Sequence, residues 1–363
     1  VKKIAKQRIF DVEPYRPGKP IDEVKRELKL KKVIKLASNE NAYGPSPKVY
    51  QAMLKEAKIV NRYPDGGCFY LRKALAKHLS IHPDSLIFGN GSDEIIVMAI
   101  RAFVSEGDEV VIAKPSFLIY DIAARLEGAV IKEVPLKNFR YDLDGMRSAV
   151  TAKTKIIFIG NPDNPAGTFV TESQLVAFLK SIRPDILVFV DEAYFEFVND
   201  KSYPDTIKLM KSFKNVVVTR TFSKMYGLAG LRLGYGIADE EIVGILNRLR
   251  EPFNANSIAQ AAAVACLQDK TYYRRIGREV VSERNKLYRE LKKMGLAYVE
   301  TSTNFVLVDI KQNSTGVCGE LLKKGVIVRD MAFWGLTNYL RVSIGAPSEN
   351  AEFIRTLKIV LKK

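Results

Sequence analysis

Histidine and cysteine are scarce in this chain, and the scarcity excludes a good deal. The only histidines are His78 and His82, and the only cysteines are Cys68, Cys266 and Cys318. Three widely spaced thiols, odd in number, make neither a disulfide framework nor a close metal cluster. HLSIH could set both imidazoles on one helical face, but Pro83 ends that run. A surface helix end is the simpler account of the pair, and no metal is expected. A Ser-His-Asp triad is poorly supplied for the same reason. No apolar run approaches the roughly 20 residues that span a bilayer. The start, VKKIAKQRIFDVEPY, is basic but lacks the apolar centre of a secretory signal. A cytoplasmic protein with no membrane partner is expected.

Acidic residues are also outnumbered, 41 against 57 lysines and arginines, for a formal net charge of +16. Such a balance invites nucleic acid. The lysines are scattered, however, mostly beside glutamates on amphipathic segments, with no glycine-aromatic RNA signature or zinc-finger spacing. No nucleic-acid partner is expected; attraction of small anions, or solubility alone, accounts for the charge.

What is present is an ordinary soluble composition, 47% hydrophobic and 27% charged over 363 residues. That length suggests two domains. From Asp108 onward, short apolar strands alternate with helices: EVVIAK, AVIKEVPL, KIIFIG, ILVFV and NVVVT. The alternation predicts a mostly parallel sheet covered on both faces, with ligands held outside the strands' carboxyl ends. After Gly236 the pattern changes to a smaller α+β unit, reached through a long charged helix over Thr271 to Gly295. The expected domains are residues 1–35 as an arm and part of the small domain, 36–250 as the large domain, and 251–363 as the small one.

Chemistry concentrates at strand ends. In RTFSKMYGLAGLRLGYG, Thr221, Ser223 and Arg232 could hold an anion, and Lys224 could be a buried amine able to form a Schiff base. Against that stands the plain alternative of one more surface lysine. In FGNGSDE, Gly91, Ser92 and Asp93 open a helix whose amides can cradle a phosphate, or simply cap it. It is neither a dinucleotide fingerprint nor a P-loop. Asn164 in NPDNPAG and Asp191 in DEAYFEF fall, like Lys224, just past strand ends. Arg329 and Arg341 lie at or near strand ends of the smaller unit; either could be a surface arginine, though an arginine fork suits a carboxylate or phosphate. If Lys224 carries an aldehyde cofactor with a pyridinium ring, the ring nitrogen needs an anion, the ring oxygen a donor, the ring face an apolar slab and the phosphate a cradle. Asp191, then Asn164 with Tyr194, then Phe117, then the glycine-rich turn with Ser223 and Arg232 fit those needs.

VEPYRPGKPI, KLASNENAYGPSP, RYPDG, FGNGSDE, NPDNPAG, DEAYFEF, TFSKMYGLAGLRLGY and YLRVSIG, in this order across nearly the whole chain, resemble a fold-type I pyridoxal-phosphate aminotransferase of the histidinol-phosphate aminotransferase group. The resemblance implies a seven-stranded, mostly parallel sheet in the large domain and pyridoxal 5'-phosphate as cofactor. It implies a transaminase passing an amino group from L-histidinol phosphate to 2-oxoglutarate in histidine biosynthesis, through a Lys224 Schiff base and a pyridoxamine phosphate stage. By resemblance, Asp191 pairs with the ring nitrogen, and Asn164 and Tyr194 with the ring oxygen. Gly91, Ser92, Asp93, Thr221, Ser223 and Arg232 belong to the cofactor site. Tyr63 reaches the cofactor phosphate from the neighbouring subunit, which implies a homodimer with shared sites. Arg341 clamps the carboxylate of glutamate or 2-oxoglutarate, and Tyr15, Asn39 and Arg329 face the variable end of the substrate. Phe117 departs from the tyrosine common in such enzymes, keeping the stack and losing the hydroxyl. An aromatic or broad-range aminotransferase, a threonine-phosphate decarboxylase and a non-catalytic scaffold remain the alternatives.

Overall fold

The computed structural model describes residues 4–14 and 18–362. Tyr15 therefore lies outside the described residues. Twelve strands are found among the described residues: β1 (Ile34–Leu36), β2 (Leu86–Gly89), β3 (Glu109–Lys114), β4 (Val130–Pro135), β5 (Thr154–Gly160), β6 (Leu187–Asp191), β7 (Val216–Thr221), β8 (Gly234–Ile237), β9 (Ala297–Val299), β10 (Phe305–Asp309), β11 (Val326–Asp330) and β12 (Tyr339–Ser343).

Seven of them form one sheet in the order β2-β8-β7-β6-β5-β3-β4. Strands β4, β3, β5, β6 and β7 pair in parallel. β8 runs antiparallel to both β7 and β2. β2 therefore points the same way as β7, and six strands present their carboxyl ends at one edge. The expected mostly parallel sheet is what forms. Near-continuous apolar runs dictate it: in β5, Ile156 and Phe158 are buried on one face, Ile157 and Ile159 on the other. A strand buried on both faces has no polar side to show to water.

One covering helix, Ser92–Phe103, buries Ile95, Ile96, Ala99 and Ile100 against the sheet. The spacing of one and four residues is that of a single helical stripe. Gly91, at φ 80, turns the chain from β2 into this helix. A short helix forms between β4 and β5 at Leu143–Ser148. Asp142 stays outside as its cap, accepting from the Gly145 amide at 3.1 Å, a role short carboxylates take at helix starts.

The second sheet has the order β1-β11-β12-β10-β9. β1 joins β11 in parallel, so a strand from the amino-terminal segment completes a sheet otherwise built by the last third of the chain. The helix Lys270–Lys293 connects the two sheets. At 24 residues it is roughly 36 Å long. Near its start the Tyr273 hydroxyl lies 3.1 Å from Cys266 Sγ; near its end the Tyr288 ring stacks on Tyr298 of β9 at 4.4 Å. Among the described residues, no helix is long and apolar enough to cross a membrane, and no group of three His, Cys, Asp or Glu could hold a metal ion.

Candidate active site

A cavity of about 280 Å³ opens at the carboxyl edge of the large sheet, where the small sheet closes over it. β6 ends in Asp191, and the turns after β3, β5, β6 and β7 supply Phe117, Asn164, Tyr194 and Lys224. The start of the helix after β2 supplies Ser92 and Asp93, and β11 and β12 supply Arg329 and Arg341. Asn39, Thr221, Ser223 and Arg232 complete the wall. The site residues expected from the sequence thus converge, with two exceptions besides Tyr15. Gly91 lies just behind the wall, and Tyr63 is 83% exposed outside it, its ring stacked on Phe253 at 4.7 Å.

Lys224 follows β7 on a tightly held loop. Phe222, fully buried, pins its start, and Leu228 N donates to Phe222 O at 3.0 Å. Gly227, at φ 71, lets the loop press on Gly44 and Pro45, where a Cβ would meet the Gly44 backbone at 2.9 Å. Asn41 Nδ2 donates to Met225 O at 2.7 Å and fixes the next peptide. Lys224 Nζ donates to Ser38 O at 3.2 Å and lies 5.7 Å from the Tyr194 ring centre. No carboxylate pairs with it in an ion pair among the described residues. Burial, followed by the nearby Arg341 charge, pushes its pKa down to about 8. Loss of hydration penalises the charged form, so this amine is primed as a nucleophile.

Asp191 ends β6 and is buried. It accepts from the Tyr120 hydroxyl at 2.7 Å, the Ala193 amide at 3.1 Å and Thr219 Oγ1 at 3.4 Å. Burial nevertheless raises its pKa to about 6. It is a carboxylate held in place with no protein cation paired to it among the described residues, which is the arrangement a cationic ligand atom would complete.

The anion cradle is built from close backbone approach. A Cβ on Gly91 would run into the Arg232 guanidinium, and one on Gly234 into the Ser92 backbone. Gly91 N donates to Arg232 O at 3.1 Å. Arg232, in the left-handed region at φ 53, donates to Asp93 Oδ2 at 3.2 Å and Ser223 Oγ at 3.4 Å. Helix amides, two hydroxyls and a guanidinium meet there, the donor set of a phosphate site.

At the other end, Arg341 is buried and donates from Nη1 to Asn164 Oδ1 at 2.5 Å and from Nη2 to Ala37 O at 3.0 Å. Asn39, at φ 54, ties the sheets together. Its amide donates to Ser343 Oγ at 2.8 Å, and its Nδ2 to the Tyr194 hydroxyl at 2.9 Å.

Several supporting residues were not singled out in the sequence. Tyr120 sits in LIYDIAARL, where a lone tyrosine on a helix's apolar stripe was the available signal: a buried hydroxyl requires a partner. Trp334, the chain's one tryptophan, lines the cavity beside Arg329. Asp163, buried in the NPDNPAG loop with its pKa raised to about 7 by burial, accepts from the Ala166 amide at 2.9 Å and orders the turn bearing Asn164. Beneath the sheet edge, Arg220 donates to Glu192 Oε2 from Nε at 2.8 Å and from Nη2 at 2.7 Å, with its guanidinium 3.6 Å over the Phe195 ring. That buried pair locks β6 to β7 directly behind Asp191 and Thr221.

Comparison with known proteins places this geometry. Residues 31–357 match the family described as aminotransferase class I and II. A histidinol-phosphate aminotransferase of Moorella thermoacetica is 47% identical over 98% of this chain and 92% of its own length. One from Caldicellulosiruptor saccharolyticus is 45% identical, covering 97% and 99%. The crystal structure of histidinol-phosphate aminotransferase from Sinorhizobium meliloti in complex with pyridoxal-5'-phosphate superimposes with a TM-score of 0.91 at 28% identity, covering 99% of each chain. The chain belongs to the class I and II aminotransferase family.

Proposed function

We propose that this protein transfers the amino group of L-histidinol phosphate to 2-oxoglutarate, giving imidazole-acetol phosphate and L-glutamate, as a pyridoxal 5'-phosphate enzyme of histidine biosynthesis. The observation that carries the proposal is the convergence of Lys224, Asp191 and the two arginines Arg329 and Arg341 on one cavity. The names of its relatives at 47% and 45% identity support the substrate.

The residues present fit the cofactor. Asp191 is a buried carboxylate awaiting a cation, suited to a protonated ring nitrogen. The cradle of Gly91, Ser92, Asp93, Thr221, Ser223 and Arg232 suits a phosphate, and its parts come this close because Gly91 and Gly234 lack a Cβ. Phe117 offers a ring face, and Asn164 and Tyr194 offer donors to the ring oxygen. When bound, the cofactor supplies an electron sink that stabilises negative charge on the donor's amine-bearing carbon.

The chain's own groups do the rest. Lys224 Nζ, held short of full charge, anchors the aldehyde and then holds and moves the proton of the reacting carbon. Arg341 presents a fixed fork to the carboxylate of glutamate or 2-oxoglutarate. Arg329 and Asn39, with Tyr15, face the variable, phosphate-bearing end. Closure by the small sheet excludes water and strengthens each of these contacts.

A homodimer working in the cytoplasm completes the proposal, with Tyr63 entering the partner's site. In support, Tyr63 belongs to a run of exposed apolar residues that includes Leu54 at 70%, Val60 at 64% and Tyr70 at 78% exposure, more than a monomer's surface ordinarily leaves to water. Residues 1–35 with 251–363 would form the moving small domain, and 36–250 the large one.

The deciding experiment compares histidinol phosphate, tyrosine, phenylalanine and threonine phosphate as donors, with products identified. Preference for histidinol phosphate in kcat/KM is expected. Preference for tyrosine or phenylalanine would make it an aromatic aminotransferase, and carbon dioxide release from threonine phosphate would make it a decarboxylase.

A further inference from the structure

Trp334 has no part in the assignments above, yet it stands where the cavity, the small sheet and the large sheet meet. It closes the turn Ala332–Trp334 between β11 and β12, and Gly335 at φ 80 reverses the chain immediately after it. Besides the edge-on ring of Phe333 at 5.6 Å, two contacts hold the indole. The Arg329 guanidinium lies 5.0 Å from the centre of its ring. Its Nε1–H donates to Ser116 O at 3.1 Å, on the turn of the large domain that carries Phe117.

A third feature is positional. Leu118, Arg329 and Trp334 line both the active-site cavity and an outer groove of about 520 Å³ that also includes Cys318 and Leu322. The indole is thus part of the wall between the reacting site and that groove.

We propose that Trp334 is a positioning residue that sets selectivity for the phosphate-bearing donor. Resting on the substrate assignment made above, it holds Arg329 against an aromatic face so that the guanidinium stays aimed along the cavity. Through Ser116 it also latches the small sheet to the turn bearing Phe117. A cation held over the face of an indole is attracted to the ring and restricted in where its guanidinium can turn. Arg341 is held instead by Asn164, by the Ala37 carbonyl and against the Phe305 ring. The brace acts directly on Arg329 and so weighs most on the phosphate-bearing end of the substrate.

The test uses the holoenzyme and the variants Trp334→Phe and Trp334→Ala, with each half-reaction followed separately from histidinol phosphate and from glutamate. Trp334→Ala, losing brace and latch, should raise KM for histidinol phosphate by about tenfold or more. Its kcat should stay within about threefold, and the glutamate half-reaction should be little changed. Trp334→Phe keeps a smaller aromatic face and drops the N–H, so it should recover part of the loss. Because Trp334 is the only tryptophan, the emission of the unaltered enzyme should shift when histidinol phosphate binds and much less with glutamate. Equal losses on both substrates, or an unchanged KM in Trp334→Ala, would overturn the proposal. If the alanine variant does not fold, Trp334→Phe carries the test alone: a rise in KM of about threefold confined to histidinol phosphate supports the latch, and identical kinetics refute it. The unaltered enzyme's own turnover of histidinol phosphate tests the substrate assignment separately.

Discussion

Arg329 of β11 and Arg341 of β12 are direct cross-strand partners. Residues paired this way put their side chains on the same face, close together, and like charges so placed repel. Both line one cavity. An anion bound between them would relieve that repulsion. Their environments then divide the work. Arg341 is buried and fixed by Asn164 and the Ala37 carbonyl, whereas Arg329 lies against the rim at Trp334.

Replacing Arg329 with Gln should therefore raise KM for histidinol phosphate by about 10- to 100-fold, the worth of one or two charge-assisted hydrogen bonds. Phenylalanine, which brings no phosphate, should lose far less. Steady-state kinetics on both donors decide the matter, and equal losses would show that Arg329 does not read the phosphate.

Arg341→Lys should reverse the pattern. A point charge cannot reproduce the two-pronged geometry that reaches Asn164 and a carboxylate together. KM for 2-oxoglutarate should rise by about tenfold or more. Measuring the acceptor half-reaction alone isolates the effect, and a normal KM there would reject the carboxylate role.

Lys224→Ala should lower turnover by at least about a thousandfold, because it removes both the nucleophile and the proton carrier. Cofactor should still be taken up noncovalently, since Asp191 and the phosphate cradle remain. Borohydride reduction followed by mass spectrometry should find the cofactor fixed at Lys224 in the unaltered protein and nowhere in the variant. The pKa near 8 leaves about a tenth of the amine neutral at pH 7, against about 0.03% for an ordinary lysine. Attachment of the aldehyde should accordingly speed up as pH is raised through 8. A rate flat from pH 6 to 9 would contradict it.

These particulars show what a sequence makes legible. The parallel sheet was readable because strands buried on both faces are written as unbroken apolar runs, as in β5 and β6. Lys224, Asp191 and Asn164 were readable because such strands all end at one edge. Residues that act through another side chain were not. Tyr120 looks like any aromatic on a helix stripe until the sheet brings Asp191 against its hydroxyl. The Arg329–Arg341 pairing depends on the β11–β12 register, which no local pattern specifies. Trp334 touches an arginine only five residues before it and a carbonyl 218 residues away, and no local pattern announces the second contact.

Tyr120→Phe tests the first of those. It removes one hydrogen bond to a buried carboxylate and leaves the ring packed on Phe158. Asp191 then holds its charge less firmly, because the Tyr120 hydroxyl is the largest influence lowering its pKa. Cofactor affinity should weaken by about five- to tenfold in an absorbance titration. An unchanged dissociation constant would mean that the hydroxyl only fills space.

Glu196 provides a prediction about stability and pH away from the cavity's chemistry. Both of its carboxyl oxygens are buried and have no hydrogen-bond partner among the described residues. Burial raises its pKa to about 8, with Arg220 partly opposing. The folded protein therefore holds this proton where the unfolded chain, titrating near 4.5, has released it. With the folded pKa above the unfolded one, the contribution to stability is full below about pH 4.5 and is lost as pH rises toward and through 8. Each pH unit in that window removes about 1.4 kcal/mol, so the whole loss is a few kcal/mol. Glu196→Gln keeps the shape and abolishes the titration. Denaturant melts of both proteins from pH 5 to 9 should show the unaltered protein losing stability relative to the variant as pH rises. Parallel curves would mean that Glu196 is ionised throughout, stabilised by Arg220 after all.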